Sequence, residues 1–69
     1  MEKYKIIANP NQLDAEGISA PINGLTGELV KKFPTGYYVI KVKYPGAMGE
    51  YTDNFDIPKY LLEKIDNGN

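Results

Sequence analysis

Apolar and polar positions alternate along much of this chain, most clearly from Tyr37 to Tyr44, YYVIKVKY. Tyr38, Ile40, Val42 and Tyr44 fall on one side, and Tyr37, Val39, Lys41 and Lys43 on the other. This is the period-two pattern of a half-buried strand. The lysines must reach water, so the first set is the expected core face. A second β-rich run, Glu28 to Phe33, precedes it across Pro34-Thr35-Gly36, a short turn with Gly where positive φ is tolerated. The pair predicts a central hairpin. In its first strand Leu29, Lys31 and Phe33 share one face by parity, and Glu28, Val30 and Lys32 the other. Leu29 and Phe33 are expected to point inward.

The flanking segments extend this pattern. Residues 3–8, KYKIIA, read as a first strand with Tyr4, Ile6 and Ala8 on one face, stopped by Asn9-Pro10-Asn11. Residues 9–25 form a long connection in which Leu13, Ile18 and Ile22 pin the loop over one end of the fold. One helical turn, Gln12 to Glu16 with Asn11 as its cap, is expected there. Gly24 and Gly27 bracket the start of the hairpin, where Gly permits positive φ or a bulge. After a wide turn at Pro45 to Gly49, Glu50 to Ile57 reads as a further strand with Tyr51, Phe55 and Ile57 on its apolar side. Asp53 shares that side by parity, which predicts a bulge near Asn54. Pro58 followed by Leu61, Leu62 and Ile65 has helical spacing and predicts a short C-terminal helix, capped by Asp56 and ended by Asn67-Gly68-Asn69.

Composition narrows the class. The 69 residues make one domain, 1–69. A core of that size leaves only about 3–5 kcal/mol of stability unless a staple or a partner adds to it. The chain has no Cys and no His, so disulfides and the usual zinc ligands are out of reach. Its net charge of −1 argues against a general nucleic-acid binder. No apolar run reaches membrane-spanning length, and the apolar content before Asn9 is too short for a signal peptide. The expected location is the cytoplasm, with no membrane partner. All eight basic residues are Lys, a compositional hint of an AT-rich bacterial or phage genome.

The order of strand, long loop, strand, tight hairpin, strand, strand and short C-terminal helix resembles an SH3-like barrel. Within it, GLTGELVKKFPTGYYVIKVKY, residues 24–44, is similar to the KOW-type pattern: Gly, two residues, Gly, then a strand, a short turn and a β-rich strand. That segment covers about a third of the chain. The C-terminal IPKYLL resembles the Pro-x-x-Tyr segment of signalling SH3 domains, one residue shorter. The acidic-aromatic first-loop motif and paired tryptophans of that family are absent, which argues against proline-peptide recognition. The resemblance implies a mainly β, SH3-like small barrel of about five strands with a long first loop. KOW-type barrels often bind RNA or partners associated with ribosomes and polymerases, which makes nucleic acid a candidate ligand.

The side-chain inventory points away from catalysis. Without His or Cys the commonest general base and the most reactive nucleophile are missing. Asp14 with Glu16, or Asp53 with Asp56, are carboxylate pairs that read as solvated loop charges. The group Asp53, Asn54 and Asp56 does not fit the ligand spacing of an EF-hand. No enzyme activity, cofactor or metal is therefore expected. Lys31, Lys32, Lys41 and Lys43 crowd the central hairpin, with Tyr37 and Val39 beside the last two, and Tyr60 is the other tyrosine expected to be exposed. Exposed tyrosine is typical of interfaces. The expected function is a non-catalytic protein-binding module acting through the hairpin face. The alternatives are a KOW-like RNA- or DNA-binding barrel, for which lysines beside an exposed ring supply phosphate and stacking contacts, and a structural subunit or homodimer.

Overall fold

The computed structural model describes residues 1–65. Its elements are β1 (Lys3–Ile6), α1 (Pro10–Ala15), β2 (Thr26–Lys32), β3 (Tyr37–Gly46), β4 (Gly49–Pro58), a 3-10 turn at Lys59–Leu61, and β5 (Leu62–Ile65). The five strands form one antiparallel sheet in the order β4-β3-β2-β1-β5. The fold is thus mainly β. The sheet is not closed: β4 and β5 lie at its two edges and are not paired to each other.

The hairpin forms as its alternation predicts. Tyr38, Ile40 and Val42 are buried and Tyr44 is half-buried, while Tyr37, Lys41 and Lys43 are exposed. The core gathers Tyr4, Ile6 and Ala8 from the first segment, the three β3 residues, Ile57 and Leu61, and Leu13, Ile18 and Ile22 from the long loop. Tyr4 and Tyr38 meet edge to face, with ring centroids 5.5 Å apart. Among the described residues no polar or charged residue is buried, so the side chains of the interior pack chiefly by apolar contact.

The long loop is ordered by its own chemistry. The side chain of Asn9, not Asn11, caps α1. It accepts from the Gln12 N–H at 2.8 Å, while Gln12 Oε1 accepts from the Asn9 N–H at 2.9 Å. Pro10 follows at the first helical position, where no N–H is needed. The other end closes with Gly17 at φ 78°: Gly17 N–H donates to Asp14 O and Ile18 N–H to Leu13 O, both at 2.9 Å. That is the paired-bond helix stop in which the residue after the Gly packs on the last turn, and Leu13 and Ile18 are both buried. The loop then returns to β1 through Gly24 N–H to Ile6 O and Ile6 N–H to Leu25 O, each 2.8 Å.

Further expectations are corrected. The C-terminal helix is a single 3-10 turn, after which Leu62–Ile65 extends as β5 along β1, with Lys3 opposite Ile65 and Ile6 opposite Leu62. The free edge of β1 offers this segment a ladder that outweighs its helical spacing. The β3–β4 register runs unbroken from Tyr37–Pro58 to Gly46–Gly49, so there is no bulge near Asn54, and the turn narrows to Ala47-Met48. The irregularity lies instead in β2, between Leu29 and Lys31. It puts Lys32 opposite Tyr38 on the core side and Lys31 opposite Val39 on the outer side. Leu29 packs on the core, whereas Phe33 lies 5.0 Å beneath Lys31 Nζ. Finally, the first strand ends at Ile6, although Ala8 stays buried. The expected stop at Asn67-Gly68-Asn69 falls outside the described residues.

Gly27 lies in β2 opposite Val42 of β3, with no room for a side chain. A Cβ there would lie 2.5 Å from the Lys41 carbonyl oxygen and 2.6 Å from Ile40 Cγ2. Backbone cannot yield as a flexible side chain can, so Gly27→Ala is expected to cost about 2–3 kcal/mol through overpacking. Urea unfolding checks this, and an unchanged midpoint with an unchanged slope would contradict the close approach.

Candidate functional site

The two tyrosines singled out from the sequence, Tyr37 and Tyr60, lie at the same end of the sheet. Tyr37 begins β3 and pairs in register with Pro58 at the end of β4. The turn before it is set by Gly36 at φ 95°, with Gly36 N–H donating to Phe33 O and Phe33 N–H to Tyr37 O. Gly36 O in turn accepts from Lys59 N–H at 2.9 Å, tying the 3-10 turn to the hairpin turn. Tyr60 projects from that 3-10 turn with 72% of its surface exposed. Together with Thr35, Lys59 and Glu16 these residues line an open hollow of about 570 Å³.

Glu16, at the end of α1, fixes one wall. Its Oε1 accepts from the Tyr37 hydroxyl at 2.8 Å. This bond, and behind it the Glu16 charge, raises the Tyr37 pKa above the ordinary 10.0, so the phenol stays a neutral donor. The ring is thereby oriented although it is solvent-accessible. An aromatic ring held in place next to a proline and a second, freely exposed ring is a ready contact for an apolar side chain.

The four hairpin lysines do not form one patch. Lys41 and Lys43 share the outer face with Lys3, Glu28, Thr26 and Thr52, which surround a second depression of about 440 Å³. Lys31 lies on that side too, but over Phe33. Lys32 is turned to the core side by the β2 irregularity. Its Nζ sits 5.2 Å over the Tyr38 ring and 3.7 Å from Glu2 Oε1. Val39 is half-buried on the outer face, opposite Asp56, and lines neither hollow. Sequence reasoning missed Glu16, Pro58 and Lys3 as members of these sites. Only the β1–β2 and β3–β4 registers bring Lys3 and Pro58 alongside, and only the folded loop delivers Glu16.

Asp53 and Asp56, expected as solvated loop charges, lie instead on opposite faces of β4 and do not converge. β4 is regular, so Asp53 faces the core side, where it accepts the Tyr44 hydroxyl at 2.6 Å, and Asp56 faces outward opposite Val39. This bond to Asp53 raises the Tyr44 pKa. Among the described residues no three acidic side chains gather as a metal site, and no helix is long and apolar enough to cross a membrane.

Tyr4 carries the largest perturbation. Burial, reinforced by donation of its hydroxyl to Glu2 Oε1 at 2.6 Å, pushes its pKa up to about 12. The folded state thus holds this proton more tightly than the unfolded chain. Its contribution to stability is complete below the unfolded value of 10.0 and is lost as the pH climbs to about 12. Urea midpoints across that window are expected to fall with pH, and to fall less steeply in Tyr4→Phe; identical slopes would contradict this assignment.

Comparison with protein families, with curated proteins and with solved structures finds no match to this chain.

Proposed function

We propose that this chain is a non-catalytic, cytoplasmic protein-binding module built as an open SH3-like barrel, and that its partner docks in the hollow between Tyr37, Pro58 and Tyr60. The architecture is supported by the strand order β4-β3-β2-β1-β5, the long first loop, and the 3-10 turn just before the last strand. The docking reading rests on one observation. Tyr60 is left 72% exposed beside Pro58 and a Tyr37 ring that Glu16 has already oriented. A preorganised ring such as Tyr37 binds with little further loss of side-chain freedom. The occupant is an extended segment that presents an apolar side chain to the two rings and a donor to the Glu16 carboxylate.

The outer face supports a second reading. Lys3, Lys41 and Lys43 surround one depression with two threonine hydroxyls, an arrangement able to hold phosphate groups of a single strand. Glu28 in the same depression and the net charge of −1 oppose it.

Tyr60→Ala separates the readings. Immobilised protein challenged with bacterial lysate, with and without nuclease, is expected to retain a protein in both arms. The variant should lose it at least ~10-fold, a typical effect of removing an interface anchor. Because Tyr60 is exposed, its removal should shift stability by no more than ~0.5 kcal/mol. Retention by the variant equal to the parent excludes the hollow. Retention lost to nuclease instead favours the lysine face. There, Lys41→Glu with Lys43→Glu should abolish binding of single-stranded nucleic acid, and log K should fall against log salt with a slope near roughly −2 for three phosphate contacts.

A further inference from the structure

The geometry points to a second docking surface, the free edge of β4, which accepts a lysine-bearing extended segment of a partner protein as an added strand. β4 is ten residues long, and its ladder to β3 has no register shift. The opposite edge, β5, is only four residues.

The backbone groups that β4 leaves free can be named. Strand residues turn their N–H and C=O alternately to the two sides. Tyr37 O accepts from Phe33 N–H on the β2 side, while Gly36 O accepts from Lys59 N–H on the β4 side. The even-numbered residues of β3 therefore face β4 and bond to Tyr51, Asp53, Phe55 and Ile57, their register partners. The intervening residues, Glu50, Thr52, Asn54 and Asp56, present their N–H and C=O away from the sheet, and all four are exposed. This is an uninterrupted template for strand addition.

Edges are usually protected by lysine, proline or a bulge. β4 contains no Lys, its one Pro is its last residue, and it has no bulge. The hairpin lysines lie on β2 and β3, both interior strands. The only charges on β4 are Glu50, Asp53 and Asp56. These decide the occupant. A second copy paired antiparallel, with outward groups matched, would centre on Asp53 or on Asn54. In the first register Glu50 faces Asp56 and Asp53 faces itself; in the second no charges pair directly, and in neither does a carboxylate meet a cation. A strand with lysine at every third position meets the same three carboxylates with opposite charge. A partner strand of that pattern is the one this edge selects.

The test uses a capped, β-prone peptide of roughly nine residues with lysine at every third position, and the same peptide with glutamate in those places. Added to the isotope-labelled protein, the lysine peptide is expected to shift β4 amides and to slow hydrogen exchange at Thr52, Asn54 and Asp56 at least tenfold. The glutamate peptide should do neither. Asn54→Pro removes one outward N–H at a position where an edge strand tolerates proline, and should weaken the lysine peptide at least tenfold. Should that variant not fold, Glu50→Lys with Asp56→Lys, both at exposed positions, is expected to abolish binding. The proposal is overturned by failure of the lysine peptide to protect these amides at millimolar concentration, by equal binding of the two peptides, or by unchanged binding to the folded variants. Sedimentation showing that the free protein dimerises through β4 would also overturn it, since the occupant would then be a second copy.

Discussion

At Gly27 β2 lies against β3 with no room for a side chain, and the packing of the core side around it depends on that. Across the sheet, Tyr4, Gly27 and Val42 form one row, two large side chains on either side of none. A residue with a side chain at the centre of that row would hold β2 away from β3. With hydrogen there, nothing meets the Lys41 carbonyl or Ile40, and on the core side the rings of Tyr4 and Tyr38 meet. The remaining opening is filled by loop residues. Leu13, Ile18 and Ile22 are buried because α1 is capped at both ends and its loop is clamped to β1. A single apolar core thus joins elements that share no hydrogen-bond ladder.

Much of this was readable in advance, and the failures share a cause. The period-two pattern of Tyr37 to Tyr44 identified both faces of β3, and the three aliphatic residues of the long loop were recognisable as its anchors. What could not be seen was which edge lay open. Leu61, Leu62 and Ile65 satisfy helical spacing, and only a β1 with a vacant side turns them into a strand. The cap was misassigned for a local reason. Two asparagines flank Pro10, and the reciprocal bond from Gln12 selects Asn9. In β2 the polar and apolar residues give no unambiguous phase, so the one-residue irregularity near Val30 was invisible, although it decides where each lysine points.

The candidate sites were legible only as far as exposure goes. Tyr37 and Tyr60 could be named as surface tyrosines from one sequence. Their meeting at one hollow depends on the bond from Lys59 to Gly36, and on a carboxylate brought from 21 residues away. Parity puts Lys31 with inward Leu29 and Lys32 on the other face, and the β2 irregularity reverses both. Lys32 is drawn to Glu2, and Lys41 and Lys43 keep company with Lys3 from another strand. Chemistry at a surface of this kind is a property of strand register more than of composition.

The position of β1 bears on how the chain is made. β1 is synthesised before the other strands of the sheet, yet one of its two neighbours is β5, with Lys3 opposite Ile65. While the ribosome adds the intervening residues, β1 can join β2 but keeps an open side. Contacts so distant in sequence raise the loop-closure cost and slow the final step of folding. The nascent domain thus waits for its last strand with an unsealed edge, the interval in which a chaperone or a neighbouring chain has its chance to intervene.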